Sequence, residues 1–261
     1  MRLQIEADLN YRFSEPTDVL LAIEAAAQDD QQLIEDRLVV TGAGPLSTIP
    51  GGSRVGRRTW TRTGSGDFHA RYTAVVDVMR PPSTVIGLPA AALPAIPSEV
   101  VPFLWPSRYC EADRLNSFAH QEFEGLQGGD FVHAAVEWVR GHIRYVSGSS
   151  DGTTTAADTF LSRQGVCRDF AHLTAAIVRA HDIPARVASV YAWCLDPPDF
   201  HAVVEVWLDD GWHIVDATGL APIPGMVRMA VGRDATDVAF MTTFGATELI
   251  SQDVTVTRLD E

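Results

Sequence analysis

The stretch Gly165-Val-Cys-Arg-Asp-Phe-Ala-His172 opens the most regular helical pattern in the chain. Over residues 167–181 apolar side chains recur at intervals of three and four, and Pro184 ends the run. Because a glycine turn comes directly before it, Cys167 is predicted to lie at the N-terminus of this helix. The free N–H groups of the first turn and the positive end of the helix dipole favour an anion there, such as a thiolate. Taken alone, a free cysteine is more often a small buried side chain, so the hypothesis of a nucleophile depends on its partners.

Two strands predicted downstream supply an imidazole and a carboxylate. His201 opens an apolar run that ends at Leu208, and the strand after Asp209-Asp210-Gly211 ends with Asp216. The turn residues between these strands predict a hairpin. In an antiparallel hairpin the start of one strand lies beside the end of its partner, so His201 and Asp216 are expected on one rim. With Cys167 beside them, the imidazole would take the thiol proton while the carboxylate orients the ring.

The order of the predicted elements indicates an α+β protein with two units. Residues 1–80 alternate apolar and polar side chains, most clearly over residues 68–78, which predicts an N-terminal β-sandwich. Residues 81–106 hold seven of the fifteen prolines and are predicted to connect the two units. Residues 107–261 carry helical patterns followed by strands, which predicts a catalytic domain of helices packed on an antiparallel sheet.

The same patterns predict where particular elements of the second unit end. Apolar residues from Phe131 onward mark one face of a helix that is predicted to run to about Tyr145. The last two strands, at residues 241–250 and 254–258, are expected to complete the sheet that holds His201.

The chain has 261 residues and is rich in acids, with 34 Asp and Glu against 20 Lys and Arg and a formal net charge of −14. A surface that binds nucleic acid or anionic lipid needs a basic face, so neither nucleic acid nor a membrane is expected as a partner. The N-terminus has no apolar run typical of a secretory signal, and the three cysteines form no C-x-x-C pair. Reduced thiols and a cytoplasmic location are therefore expected. A homo-oligomer is left open, and no cofactor is predicted.

Zinc binding is a weaker interpretation of the same three residues. Cys167, His201 and Asp216 are all residue types that Zn²⁺ accepts, but neither H-E-x-x-H nor paired C-x-x-C motifs accompany them. No metal site is therefore predicted.

These segments resemble the transglutaminase-like superfamily, in particular bacterial members with an N-terminal β domain that are regarded as cysteine proteases. The motifs that carry the resemblance span about residues 156–238, and the strand-rich first unit fits the same layout. They are Gly165-Val-Cys-Arg-Asp-Phe-Ala-His172, Ile183-Pro-Ala-Arg-Val187, Phe200-His-Ala202 with Glu205, Gly211-Trp212, Asp216-Ala-Thr-Gly219 and Val231-Gly-Arg-Asp-Ala-Thr-Asp-Val238. The resemblance implies a papain-like transglutaminase core in which Cys167 is the nucleophile, His201 the base and Asp216 the group that orients the base.

A thiol-dependent acyl-transfer enzyme is the function expected from this triad. The first hypothesis is a cysteine peptidase or amide hydrolase, which acts on a peptide or protein amide and lets water resolve the thioester. The alternatives are a transglutaminase, in which an amine resolves the thioester, and a binding scaffold without turnover. The backbone N–H of Cys167 is expected to donate to the oxyanion, and a second donor is expected from either Gln164 or Tyr145.

Overall fold

The computed structural model describes residues 1–51, 56–82 and 84–260, and these ranges form an α+β fold. The strands are β1 (Arg2–Phe13), β2 (Asp18–Leu21), β3 (Gln31–Thr41), β4 (Ser47–Ile49), β5 (Arg58–Arg62), β6 (Gly66–Val78), β7 (Arg144–Tyr145), β8 (Gln164–Gly165), β9 (Ala185–Ala192), β10 (His201–Leu208), β11 (Gly211–Val215), β12 (Met226–Gly232), β13 (Met241–Thr243) and β14 (Thr247–Arg258). The helices are α1 (Asn116–Glu122), α2 (Gly128–His142), α3 (Ala156–Ser162), α4 (Cys167–Arg179) and α5 (Ala235–Val238). The predicted fold class is confirmed.

Two four-stranded antiparallel sheets form the strand-rich unit, one in the order β14-β1-β6-β3 and the other in the order β13-β2-β5-β4. Along β1 and β6 every second side chain is buried, which is the alternation that predicted strands here. The buried side chains of both sheets share one apolar core, to which Phe13 and Phe68 contribute from the first sheet and Val19 from the second. The strand-rich N-terminal region is thus a sandwich around this core.

The last two strands belong to the strand-rich unit and not to the sheet that holds His201. β13 pairs with β2, and β14 pairs with β1 from Leu3 opposite Arg258 to Phe13 opposite Thr247. The expectation that these strands complete the second sheet was therefore wrong. The residue pattern of a strand shows which side is buried but does not name its neighbour, which tertiary packing decides. The domain limits at residues 80 and 106 stay a prediction, and residues 83 and 261 lie outside the described residues.

The second unit packs helices on an antiparallel sheet in the order β11-β10-β9-β12. All eight residues of β9 are buried, and α4 packs against β9 and β10. The helix expected to reach about Tyr145 ends earlier, at His142, because the backbone of Ile143 turns extended and leads into β7. Among the described residues, no helix combines the length and the apolar character needed to cross a bilayer.

Contacts between the units fix the second sheet against the first. The rings of Tyr72 and Tyr191 stack with their centroids 6.2 Å apart, and the hydroxyl of Tyr191 donates to the carbonyl of Ile23 at 2.7 Å. The amide of Gln31 donates to the carbonyl of Arg228 at 2.9 Å. Because β9 and β12 carry these contacts, the sheet that holds His201 has a defined position relative to the N-terminal strands.

Candidate active site

Cys167 is the first residue of α4, and Gly165 and Asp169 build the turn that places it there. The backbone of Val166 is extended, and its N–H donates to Oδ2 of Asp169 at 2.8 Å. Asp169 is fully buried, so its carboxylate closes the first turn as a fixed cap. A Cβ at Gly165 would lie 2.6 Å from the Cβ of Asp169, which is why the turn needs glycine. The predicted position of Cys167 at a helix N-terminus is confirmed.

The imidazole of His201 meets the carboxylate of Asp216 at the rim of the sheet. The register of the β10–β11 hairpin brings the two residues together, and Nε2 of His201 lies 3.0 Å from Oδ2 of Asp216. Both side chains are buried, with exposed fractions of 1% and 4%. The N–H and the hydroxyl of Thr218 donate to Oδ1 of Asp216, each at 2.8 Å, and Arg140 donates to its backbone carbonyl at 2.9 Å. The carboxylate is therefore held in one orientation.

The thiol of Cys167 lies near the imidazole of His201 and interacts with it electrostatically. Because Asp216 engages Nε2, Nδ1 is the ring nitrogen left to face the sulfur. Burial acts to lower the pKa of His201, but the hydrogen bond to Asp216 and the interaction with Cys167 outweigh burial and raise this pKa to about 9. Burial acts to raise the pKa of Asp216, yet the hydrogen bonds from His201 and Thr218 hold it below its usual value. At neutral pH the site therefore favours an imidazolium between the carboxylate and the sulfur.

Tyr145 is a second side chain at the sulfur. Its strand β7 pairs in parallel with β8, which places Tyr145 opposite Gly165, two residues before Cys167. Burial and the charge of Cys167 raise the pKa of the phenol to about 12, so the phenol lies within electrostatic reach of Cys167. The phenol therefore stays protonated at neutral pH and keeps a proton to donate.

Gln164, the other residue predicted as an oxyanion donor, lies in the same short bridge. It pairs with Arg144, and its backbone carbonyl accepts a hydrogen bond from the hydroxyl of Ser162 at 3.3 Å. These contacts concern its backbone, whereas the phenol of Tyr145 interacts electrostatically with Cys167. The geometry therefore favours Tyr145 over Gln164 as the side chain that acts beside the thiol.

Thr218 and the loop at residues 147–153 are parts of the site to which the sequence pattern assigned no role. The signal for Thr218 is its spacing, since a threonine two residues after an aspartate is typical of a turn closed by side-chain hydrogen bonds. Arg168 holds the loop, because it donates to the hydroxyl of Ser150 and to the carbonyl of Asp151. It also pairs with the capping carboxylate of Asp169 at 3.2 Å. Thr218 thus orients the carboxylate, and Arg168 ties the loop to the start of α4.

The fold and the site together define an α+β protein in which a thiol, an imidazole and a carboxylate meet at the N-terminus of a buried helix. Within residues 1–51, 56–82 and 84–260, no group of three or more His, Cys, Asp or Glu side chains has the arrangement of a metal centre.

Comparison with known proteins identifies the family. A sequence profile of the transglutaminase-like superfamily matches residues 117–217, a range that includes Cys167, His201 and Asp216. The crystal structure of a "Putative Cysteine Protease from Cytophaga hutchinsonii" is similar over 100% of this chain and 91% of that chain, with 34% identity and a TM-score of 0.93. The chain therefore belongs to the transglutaminase-like superfamily.

Two further similarities are weaker. An uncharacterized protein of Mycobacterium leprae is 32% identical over 119 residues, which are 41% of this chain and 42% of that protein. The match therefore spans less than half the length of this relative. The periplasmic domain of TgpA from Pseudomonas aeruginosa is 18% identical, covers 82% of this chain and 69% of that one, and has a TM-score of 0.42. At these values neither similarity bears on the activity of this chain.

Proposed function

We propose that the protein is a cysteine peptidase or related amide hydrolase with Cys167, His201 and Asp216 as its catalytic triad. The observation that carries the proposal is a single buried imidazole that contacts a thiol on one side and a carboxylate on the other. The similarity to the "Putative Cysteine Protease from Cytophaga hutchinsonii" supports the same class of activity.

Acylation follows from this arrangement. At neutral pH His201 already holds the proton given up by Cys167, and the sulfur attacks the carbonyl carbon of a peptide or protein amide as a thiolate. Collapse of the tetrahedral intermediate breaks the C–N bond, and the imidazolium of His201 gives its proton to the leaving amine. Asp216 keeps the ring aligned and stabilises its positive charge. The products of this step are a free amine and a thioester on Cys167.

Deacylation reverses the roles with water in place of the amine. His201 takes a proton from water, the resulting hydroxide attacks the thioester, and the sulfur leaves with the proton returned by the imidazolium. The backbone N–H of Cys167 and the phenol of Tyr145 are proposed to donate to the oxyanion in both steps. The high pKa of Tyr145 supports its role, because the phenol keeps its proton at neutral pH.

Hydrolysis is proposed ahead of transamidation because the described site is open to solvent. Tyr145 is 45% exposed and Cys167 is only partly buried. A transglutaminase must protect its thioester from water long enough for an amine to react. A cytoplasmic location and the state of oligomerisation stay predictions.

Turnover of a peptide-amide library by the wild type and by Cys167→Ala tests the proposal. We expect the wild type to release free amines and Cys167→Ala to lose at least about 10³-fold in kcat/KM. Adding a tagged amine in the same assay distinguishes the two acyl-transfer reactions. Incorporation of the tag would instead identify a transamidase.

Alkylation by iodoacetamide provides a readout that does not need a substrate. Cys194 is exposed and Cys110 is buried, so the two cysteines serve as internal references for Cys167. We expect Cys167 to react faster than Cys194 at pH 7, and His201→Asn to remove this difference. The matched variant His133→Asn changes an exposed histidine on α2 and should leave the labelling rate unchanged. Equal rates at Cys167 and Cys194 in the wild type, together with no turnover, would indicate a scaffold.

A further inference from the structure

A cavity of about 260 Å³ lies beside the loop that leads from β9 to His201. The loop supplies an apolar wall from Trp193, Leu195 and Pro198, and residues 254–256 of β14 form the opposite wall. Among the described residues that line the cavity, Asp199 alone is charged. The cavity thus combines apolar walls with one carboxylate.

The carboxylate of Asp199 has a fixed position. Its Oδ1 accepts hydrogen bonds from the backbone N–H of Phe200 at 2.7 Å and from the side-chain amide of Gln252 at 2.5 Å. Both bonds fall on the same oxygen, which leaves Oδ2 as the oxygen available to a ligand. Because Gln252 lies on β14, this contact also ties the loop to the strand that forms the other wall.

The cavity lies beside the end of β10 at which His201 stands. Asp199 precedes His201 by two residues, so the cavity adjoins the strand end that carries the imidazole. Burial and the charge of Cys167 raise the pKa of Tyr145, and the negative charge of Asp199 adds to the same effect. Asp199 therefore acts electrostatically at the phenol that contacts Cys167. A substrate bound at the sulfur would reach the cavity with a neighbouring side chain.

A long basic side chain matches this lining. The aliphatic part of arginine or lysine packs well on apolar walls while its charged head reaches a carboxylate. A hydrogen bond from either charged head to the available Oδ2 would be charge-assisted and therefore stronger than a neutral one. Arg258 lies over the ring of Trp193 at 5.8 Å but is engaged by Asp260. The net charge of −14 further favours a cationic partner.

We propose that this cavity is a subsite that selects a basic side chain of the substrate, with Asp199 as the residue that recognises the positive charge. The proposal rests on the amide hydrolysis proposed above and names its substrate class, a peptide with arginine or lysine near the cleaved bond.

Matched peptides test the subsite. Arginine and citrulline have nearly the same shape but differ in charge, and citrulline offers no amine that would accept the acyl group. We expect the wild type to prefer arginine over citrulline at one position by roughly tenfold in kcat/KM, as a partly exposed ion pair allows. Asp199→Asn should reduce that ratio to about 1–2. Asp253→Asn removes an exposed carboxylate from β14 that lies outside the cavity lining. The ratio of kcat/KM for arginine over citrulline should therefore stay within about twofold of the wild type in this variant.

Binding to Cys167→Ala, measured by calorimetry, separates the failure of the subsite from the failure of the catalytic proposal. Hydrolysis without an arginine preference, or with a preference that Asp199→Asn leaves intact, would overturn the subsite alone. Binding of arginine peptides that depends on Asp199, without hydrolysis by the wild type, would support the subsite and overturn the catalytic proposal. Neither hydrolysis nor arginine-selective binding would overturn both. Thermal unfolding of each variant shows that a lost preference reflects the changed charge and not a lost fold.

Discussion

Nε2 of His201 lies 3.0 Å from Oδ2 of Asp216, and neither side chain is more than 4% exposed. The carboxylate therefore acts on the imidazole without competition from bulk water. The hydrogen bond between them helps to raise the pKa of His201 to about 9 against the opposing effect of burial. The protonation state of the site at neutral pH thus depends on this contact.

Replacing Asp216 should lower kcat/KM. It should also lower the alkaline pH at which activity is lost. Asp216→Ala removes the group that orients the ring, and we expect kcat/KM to fall by about 10²–10⁴-fold. Asp216→Asn should lose less, because an amide oxygen still accepts from the ring N–H, as in papain-like triads.

The pH profile of kcat/KM shows in which direction the charge of Asp216 shifts the pKa of His201. A protonated His201 must give its proton to the leaving amine, so activity falls as pH rises through the pKa of His201, at about 9 in the wild type. Without the negative charge of Asp216 the imidazolium loses its proton more readily. The alkaline limb should therefore move to lower pH in Asp216→Asn. An unchanged limb in that variant would show that Asp216 does not control the imidazole.

Tyr145→Phe should slow turnover while leaving the thiol reactive. Loss of one donor to an oxyanion costs about 10²–10³-fold in kcat. Alkylation by iodoacetamide forms no oxyanion, so the labelling rate of Cys167 should change far less than kcat. Measuring kcat and labelling on the same preparation provides the control. Equal losses in both would instead assign Tyr145 to the structure or protonation of the thiol.

Gly165→Ala should damage both stability and activity. The new Cβ would lie 2.6 Å from the Cβ of Asp169, so the cap that closes the first turn of α4 has to move. We expect a loss of about 1–2 kcal/mol in the free energy of unfolding, as for other lost caps, and a lower kcat/KM because Cys167 is the next residue but one.

Gly141→Ala is the matched control for this substitution. A Cβ at Gly141 in α2 meets no atom within 4 Å, and alanine favours a helix over glycine by about 0.5–1 kcal/mol. Urea unfolding should therefore show opposite signs for the two variants. A stable and fully active Gly165→Ala would contradict the role of the glycine turn.

Glu205 should matter for stability more than any surface carboxylate. It is fully buried, and its two oxygens accept from Arg186 and Arg228, each at 2.6 Å. Glu205→Ala removes the carboxylate that two buried guanidinium groups share, and such a loss typically lowers the free energy of unfolding by about 3–5 kcal/mol. Asp18→Ala breaks the exposed pair with Arg62 and should cost less than about 1 kcal/mol. Urea unfolding compares the two variants through their midpoints, provided that the slope of the free energy of unfolding against urea concentration does not change. Similar losses of stability in both variants would contradict the buried network.

Local patterns in the sequence predicted those parts of the site that depend on near neighbours in the chain. The glycine turn and the helical period placed Cys167, and the hairpin signal placed His201 beside Asp216. The sequence left Gln164 and Tyr145 open as second donors, because their relation to the sulfur depends on a parallel bridge between β7 and β8. That bridge joins residues on either side of α3, so no periodic pattern of apolar residues within one element predicts it.

The sequence by itself determined where α4 begins and which residues of the β10–β11 hairpin share a rim, since both follow from backbone hydrogen bonding between close neighbours. Only the tertiary structure decided that β14 joins β1 and that the sulfur of Cys167 faces the ring of His201. The physical reason is that the burial of apolar surface brings distant segments together but does not specify which segments become neighbours. Which segments meet is settled by how all the apolar faces fit at once.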